Sequence, residues 1–208
     1  MSTTQPSAQE SPADERAAAL LYRQVQTLLQ QGDLAGAQRA ILQITNLGYA
    51  SRARQQTAQA QVQAGDLVGA EATAQEMPYW DTRGEEVGKI AQAYLTRGDV
   101  AKAQQLAATM RNAYAWPGLM EAIAQAQVRA GAAREAWETL VAAQQHVQTW
   151  SAGDHWNGYP REEALCQLVQ AQLRLGDVTG ATQTARSIAR PEYQSRALKA
   201  IEALAATD

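Results

Sequence analysis

The sequence predicts an all-α protein built as a right-handed α-solenoid of antiparallel helix pairs, and three observations lead there. A Gly-Asp-x-x-x-Ala string recurs at a fixed interval along the chain. Apolar residues ahead of each string fall at helical spacing. The composition is dominated by Ala, Gln and Leu and contains no Phe. Such residues lose little entropy in a helix, and strand formers are scarce.

The recurring string occurs as Gly32-Asp33…Ala37, Gly65-Asp66…Ala70, Gly98-Asp99…Ala103 and Gly176-Asp177…Ala181, with a worn copy at Gly131-Ala132…Ala136. The first four copies stand 33 residues apart, and the last step is 45, so 12 extra residues separate the fourth and fifth copies. A period of this length marks a repeat array. Each string suits a turn between two helices. Glycine supplies the left-handed residue that ends the first, and aspartate caps the second. The alanine four residues after Asp lets the second helix approach the first closely. Val87, Ile90, Ala91 and Tyr94 precede one turn at helical spacing, as do Leu165, Leu168, Val169 and Gln172 before another. Breakers lie between pairs at Asn46-Leu47-Gly48, Met77-Pro78, Trp116-Pro117, Tyr159-Pro160 and Arg190-Pro191. A first helix is expected from about Glu15 to Gln31 and a closing one from about Tyr193 to Ala206. The domain organisation is then a disordered tail over 1–14 and a repeat domain over 15–206, with an insertion near 147–158.

Across roughly Ala17 to Ala206 the pattern resembles the tetratricopeptide repeat family. A small residue stands seven positions before each glycine, at Val25, Ala58, Ala91, Ala124 and Val169, and alanine stands five positions after it in every copy. The sequence departs from the family in lacking its early helix-A tryptophan, in an irregular terminal proline, and in a period shorter than the family's roughly 34 residues. The resemblance implies about five repeats plus a C-terminal capping helix, with helix-A side chains lining a concave groove.

Six residues before each glycine all five copies carry glutamine: Gln26, Gln59, Gln92, Gln125 and Gln170. The resemblance puts this position in the groove. A primary amide donates and accepts at once, which suits capture of a peptide backbone. The competing reading is that these amides bond neighbouring helices. Tyr22, Arg52, Gln55, Arg129 and Arg174 are the neighbouring groove candidates, and the arginines would favour a carboxylate-bearing ligand. Ordinary solvated arginine is the plainer reading of any one of them. A second recurring feature is aromatic. Tyr49, Trp80, Trp116, Trp150 and Tyr159 fall at junctions after the second helix of a pair, either as a recognition edge or as staples between pairs. The insertion adds His155 and Trp156, in a loop that is a docking tip or a plain extension.

Other chemistries are weakly represented. Eighteen basic against 21 acidic residues give a net charge of −3, which argues against binding a phosphate backbone. Cys166 is the only cysteine, so no intrachain disulfide can form. His146 and His155 are the only histidines and have no zinc-ligand spacing. No stretch has the length and apolarity of a membrane span, and 1–14 lacks the apolar core of a secretory signal. The expected protein is a cytoplasmic, non-catalytic scaffold without cofactor. It binds a protein or peptide segment in its groove and no nucleic acid. Self-assembly into a homo-oligomer is the second reading, and a small-ligand sensor or enzyme built on the 151–159 insertion is the third.

Overall fold

A computed structural model describes residues 11–110, 115–150 and 161–205. The described residues form eleven α-helices and no strands: α1 (Pro12–Gln30), α2 (Leu34–Ile41), α3 (Leu47–Ala64), α4 (Leu67–Gln75), α5 (Trp80–Thr96), α6 (Val100–Thr109), α7 (Trp116–Arg129), α8 (Ala133–Gln148), α9 (Arg161–Arg174), α10 (Val178–Arg186) and α11 (Pro191–Ala205). None of these helices is long and apolar enough to cross a membrane. The insertion tip, with His155, Trp156 and Tyr159, lies outside the described residues.

Every turn anticipated from the repeat is present. The five turn glycines have φ between 75° and 83°, a region that a residue with a Cβ enters only with strain. Asp33, Asp66, Asp99 and Asp177 each accept, through Oδ1, the backbone N–H three residues on, at 2.7–3.0 Å. In the worn copy Ala132 holds the same place, and its helix has no side-chain cap. The first helix begins earlier than expected, at Pro12. There Ser11 and Asp14 form a reciprocal capping box, and Pro12 brings a φ already suited to a helix start.

The chain divides into two compact units, 1–86 and 87–208, with the division inside α5. In the first, α1 packs on α2 and α3, and α3 packs on α2 and α4. In the second, α7 packs on α6, α8 and α9, and α9 packs on α8, α10 and α11. Consecutive helix pairs thus stack within each unit. The residue seven before each glycine and the alanine five after it are buried in all five copies. Small side chains at these points let the paired helices come close, and Ile41, Met77, Ile90, Ile123, Leu140, Leu165 and Leu168 fill the space around them.

A polar device recurs inside the pairs. Gln61, Gln127 and Gln172, each four residues before a turn glycine, are buried. Their Oε1 atoms accept from the hydroxyls of Thr73, Thr139 and Thr184, at 2.8, 2.9 and 2.8 Å. The first and third copies carry Leu28 with Ala40 and Tyr94 with Leu106 at these two places. The same packing problem is therefore solved in two ways in one chain, by a buried hydrogen bond or by apolar contact.

Candidate functional site

The five repeated glutamines have different surroundings. In the first unit, the Gln59 and Gln55 amides both donate to Glu86 Oε1, at 3.1 and 2.9 Å. Glu86 is 1% exposed, so these two amides supply donors to a side chain that burial would otherwise penalise. Gln26 is half-buried nearby on α1, and Tyr22 packs against Tyr49 with ring centroids 5.7 Å apart. Arg52 is exposed.

In the second unit, Gln125 donates to Glu121 Oε1 at 2.9 Å, one helical turn away. Arg174 reaches the same oxygen from α9 and ties α7 to α9. A second link of this type joins α9 to α11, where Arg196 donates to Glu163 at 2.5 Å while its guanidinium lies 5.0 Å from the Tyr193 ring centroid. Gln92 and Gln170 are exposed, and their amides make no hydrogen bond to the described residues. Arg129 is likewise exposed. Two of the five repeated amides are thus engaged with glutamates, two face solvent, and Gln26 lies between.

The junction aromatics also divide. Trp80 is 43% exposed, whereas Trp116 is 3% exposed. Trp116 donates through Nε1 to the Ala107 carbonyl at 3.0 Å, clamping α7 to the end of α6. Its ring meets His146 edge-on at 5.0 Å, and His146 meets Trp150 at 6.0 Å and 89°. Trp150 is half-buried at the end of α8. Edge-to-face contact is the favoured geometry for such rings, so the three fasten the long α8 to the start of α7.

This aromatic fastening borders a cavity of the second unit, about 560 Å³ in volume, between α6, α7 and α8. Trp116, Met120 and His146 give it an apolar and aromatic wall. Gln127 and Thr139 supply one of the buried hydrogen bonds at its base, and Glu135 and Glu138 stand at an exposed edge. The lining combines large apolar surface with a few placed polar groups, as ligand sites do. Sequence reading had singled out only Trp116 and His146 among these residues. The pairing of Gln four before the glycine with Thr eight after it was a legible signal for the base of the cavity, masked by the abundance of glutamine.

Cys166 is 7% exposed, its Sγ lying 3.5 Å from the Tyr193 carbonyl. Burial pushes its thiol above the usual range, only partly opposed by Arg196, with Glu163 and Glu162 adding to the rise. A thiolate nucleophile is disfavoured there. Among the described residues no group of three or more His, Cys, Asp or Glu is placed to hold a metal ion.

No protein-family model, no curated protein and no solved structure matches the chain.

Proposed function

We propose that the chain is a non-catalytic adaptor that binds a segment of a partner protein, as tetratricopeptide-like arrays do. The right-handed superhelix, the concave groove and a cytoplasmic location belong to the same proposal. The observation that carries it is the 560 Å³ cavity between α6, α7 and α8, whose Trp116, Met120 and His146 wall suits an apolar side chain of a partner. Two features of the sequence agree with it. The five copies are alike at the small residues between paired helices and unlike at the tenth residue before each glycine, which is Tyr22, Gln55, Gly88, Glu121 and Cys166 in turn, so that one repeat position makes different contacts along the array. The exposed amides of Gln92 and Gln170 remain open to a peptide backbone.

The test is selection of binding peptides from a random display library, followed by calorimetry on the wild type, on Ala142→Trp and on Gln92→Ala/Gln170→Ala. Ala142 is an exposed residue of the cavity lining, so a tryptophan there fills the cavity and leaves the core intact. A selected peptide whose affinity falls about tenfold or more in Ala142→Trp supports the reading. Unchanged affinity in both variants refutes this location for the site.

A second reading, self-assembly, is favoured by exposed apolar side chains: Leu42 at 74%, Val68 at 73% and Trp80 at 43%. Light scattering that shows a monomer across a wide concentration range removes it.

A further inference from the structure

The 12 extra residues between the fourth and fifth turns have a structural counterpart. Helix α8 runs for 16 residues, where its equivalent in the next copy, α10, runs for 9. The long α8 forms one wall of a groove of about 500 Å³ with α10 opposite. Trp137, Val141, Gln144 and Gln148 line it at spacings of four, three and four, which makes them one stripe of α8. Gln144 and Gln148 lie on the part of α8 that the extension adds.

Gln183 lines the groove from α10, and Asp177, the cap of α10, lies at its end. Gln172 of α9 forms part of the lining as well and is fully buried. Its Oε1 is taken by Thr184, but its Nε2 has no acceptor among the described residues. A buried amide N–H without a partner is costly, and an oxygen brought into the groove would relieve it.

We propose that this groove binds a neutral oligosaccharide, with a pyranose ring against Trp137 and its hydroxyls bonded to Gln144, Gln148 and Gln183. Three properties select that class. The only ionisable side chain of the lining is Asp177, a helix cap at the groove's end whose Oδ1 already accepts from the Gly180 N–H, so an anionic ligand finds no counter-charge and a cationic one meets a single carboxylate already engaged as a cap. Amide groups donate and accept at once, and hydroxyls do the same, so each glutamine can serve two neighbouring hydroxyls. The indole of Trp137 is 52% exposed beside Val141 on a wall otherwise made of glutamines, an apolar plate of the size of a sugar's C–H face. The Gln172 N–H at the base then meets a hydroxyl oxygen.

The test is titration of the full chain with glucose-, mannose-, galactose- and N-acetylglucosamine-based tetrasaccharides, read by calorimetry and by the Trp137 indole N–H resonance. The expected result is binding of at least one of them with Kd near about 1 mM or tighter. It should shift that resonance and weaken about tenfold in Trp137→Ala and in Gln144→Ala/Gln148→Ala. All three changed positions lie at the surface or half-buried, and circular dichroism verifies the fold of each variant. The proposal is overturned if no tetrasaccharide binds, or if binding is indifferent to these substitutions. It also fails if a neutral Gly-Ser tetrapeptide shifts Trp137 while no saccharide does.

Discussion

The buried Gln61–Thr73 hydrogen bond gives a prediction whose magnitude can be worked out from the structure. Thr73→Val keeps the shape of the side chain and removes the hydroxyl that reaches Gln61 Oε1 at 2.8 Å. Gln61 is 2% exposed, so water cannot replace the lost donor, and the expected cost is about 1–3 kcal/mol. Gln61→Leu strands the threonine hydroxyl, which can turn to its own helix backbone, so about 1 kcal/mol is expected. The double variant Gln61→Leu/Thr73→Val should cost less than Thr73→Val alone, because both polar atoms leave together. The chain contains the precedent for that state at Leu28 with Ala40 and Tyr94 with Leu106. The coupling energy from the cycle should therefore be about 1–2 kcal/mol. Urea denaturation followed by circular dichroism resolves such differences. A coupling below about 0.3 kcal/mol, within the scatter of independent sites, would refute the reasoning.

Two further outcomes follow from the turn chemistry and the burial of the thiol. Ala132→Asp should give the fourth pair the cap that the other four have, raising its stability by about 1 kcal/mol, seen as a higher urea midpoint at unchanged slope. Cys166, whose folded thiol is held above its usual value chiefly by burial, contributes stability that is fully present below the unfolded thiol pKa. That contribution is lost as pH rises through the folded value, so the wild type should lose stability relative to Cys166→Ala as pH climbs above the unfolded thiol value of about 8.5, as pH-dependent urea melts would record.

Much of the local structure was legible because it is coded by neighbours in sequence. Glycine with positive φ followed by a capping aspartate requires no knowledge of the rest of the fold, and all five turns were found at the predicted glycines. The alanines five positions on are buried as the pattern required. What could not be read depends on partners distant in sequence. Gln59 and Gln125 occupy the same repeat position as Gln92 and Gln170, yet Glu86 and Glu121 engage the first two and leave the others exposed. Neither glutamate stands at a shared place in the repeat. Arg174, expected at a groove, is tied to Glu121 on the neighbouring α7, a contact that spans 53 residues. Trp116 and Trp80 both follow a second helix, but Trp116 is buried against a carbonyl and an imidazole while Trp80 is 43% exposed. Position in a repeat predicts backbone conformation well and side-chain company poorly.

The central claim is that the cavity between α6, α7 and α8 receives a segment of a partner protein. Amide hydrogen exchange on the wild type, with and without a peptide selected by display, tests it most directly. The account predicts slowed exchange concentrated in α7 and α8 around Met120, Gln127, Thr139 and His146, and no such slowing in Ala142→Trp. Protection confined to α1–α4, or none at all under saturating peptide, would contradict it.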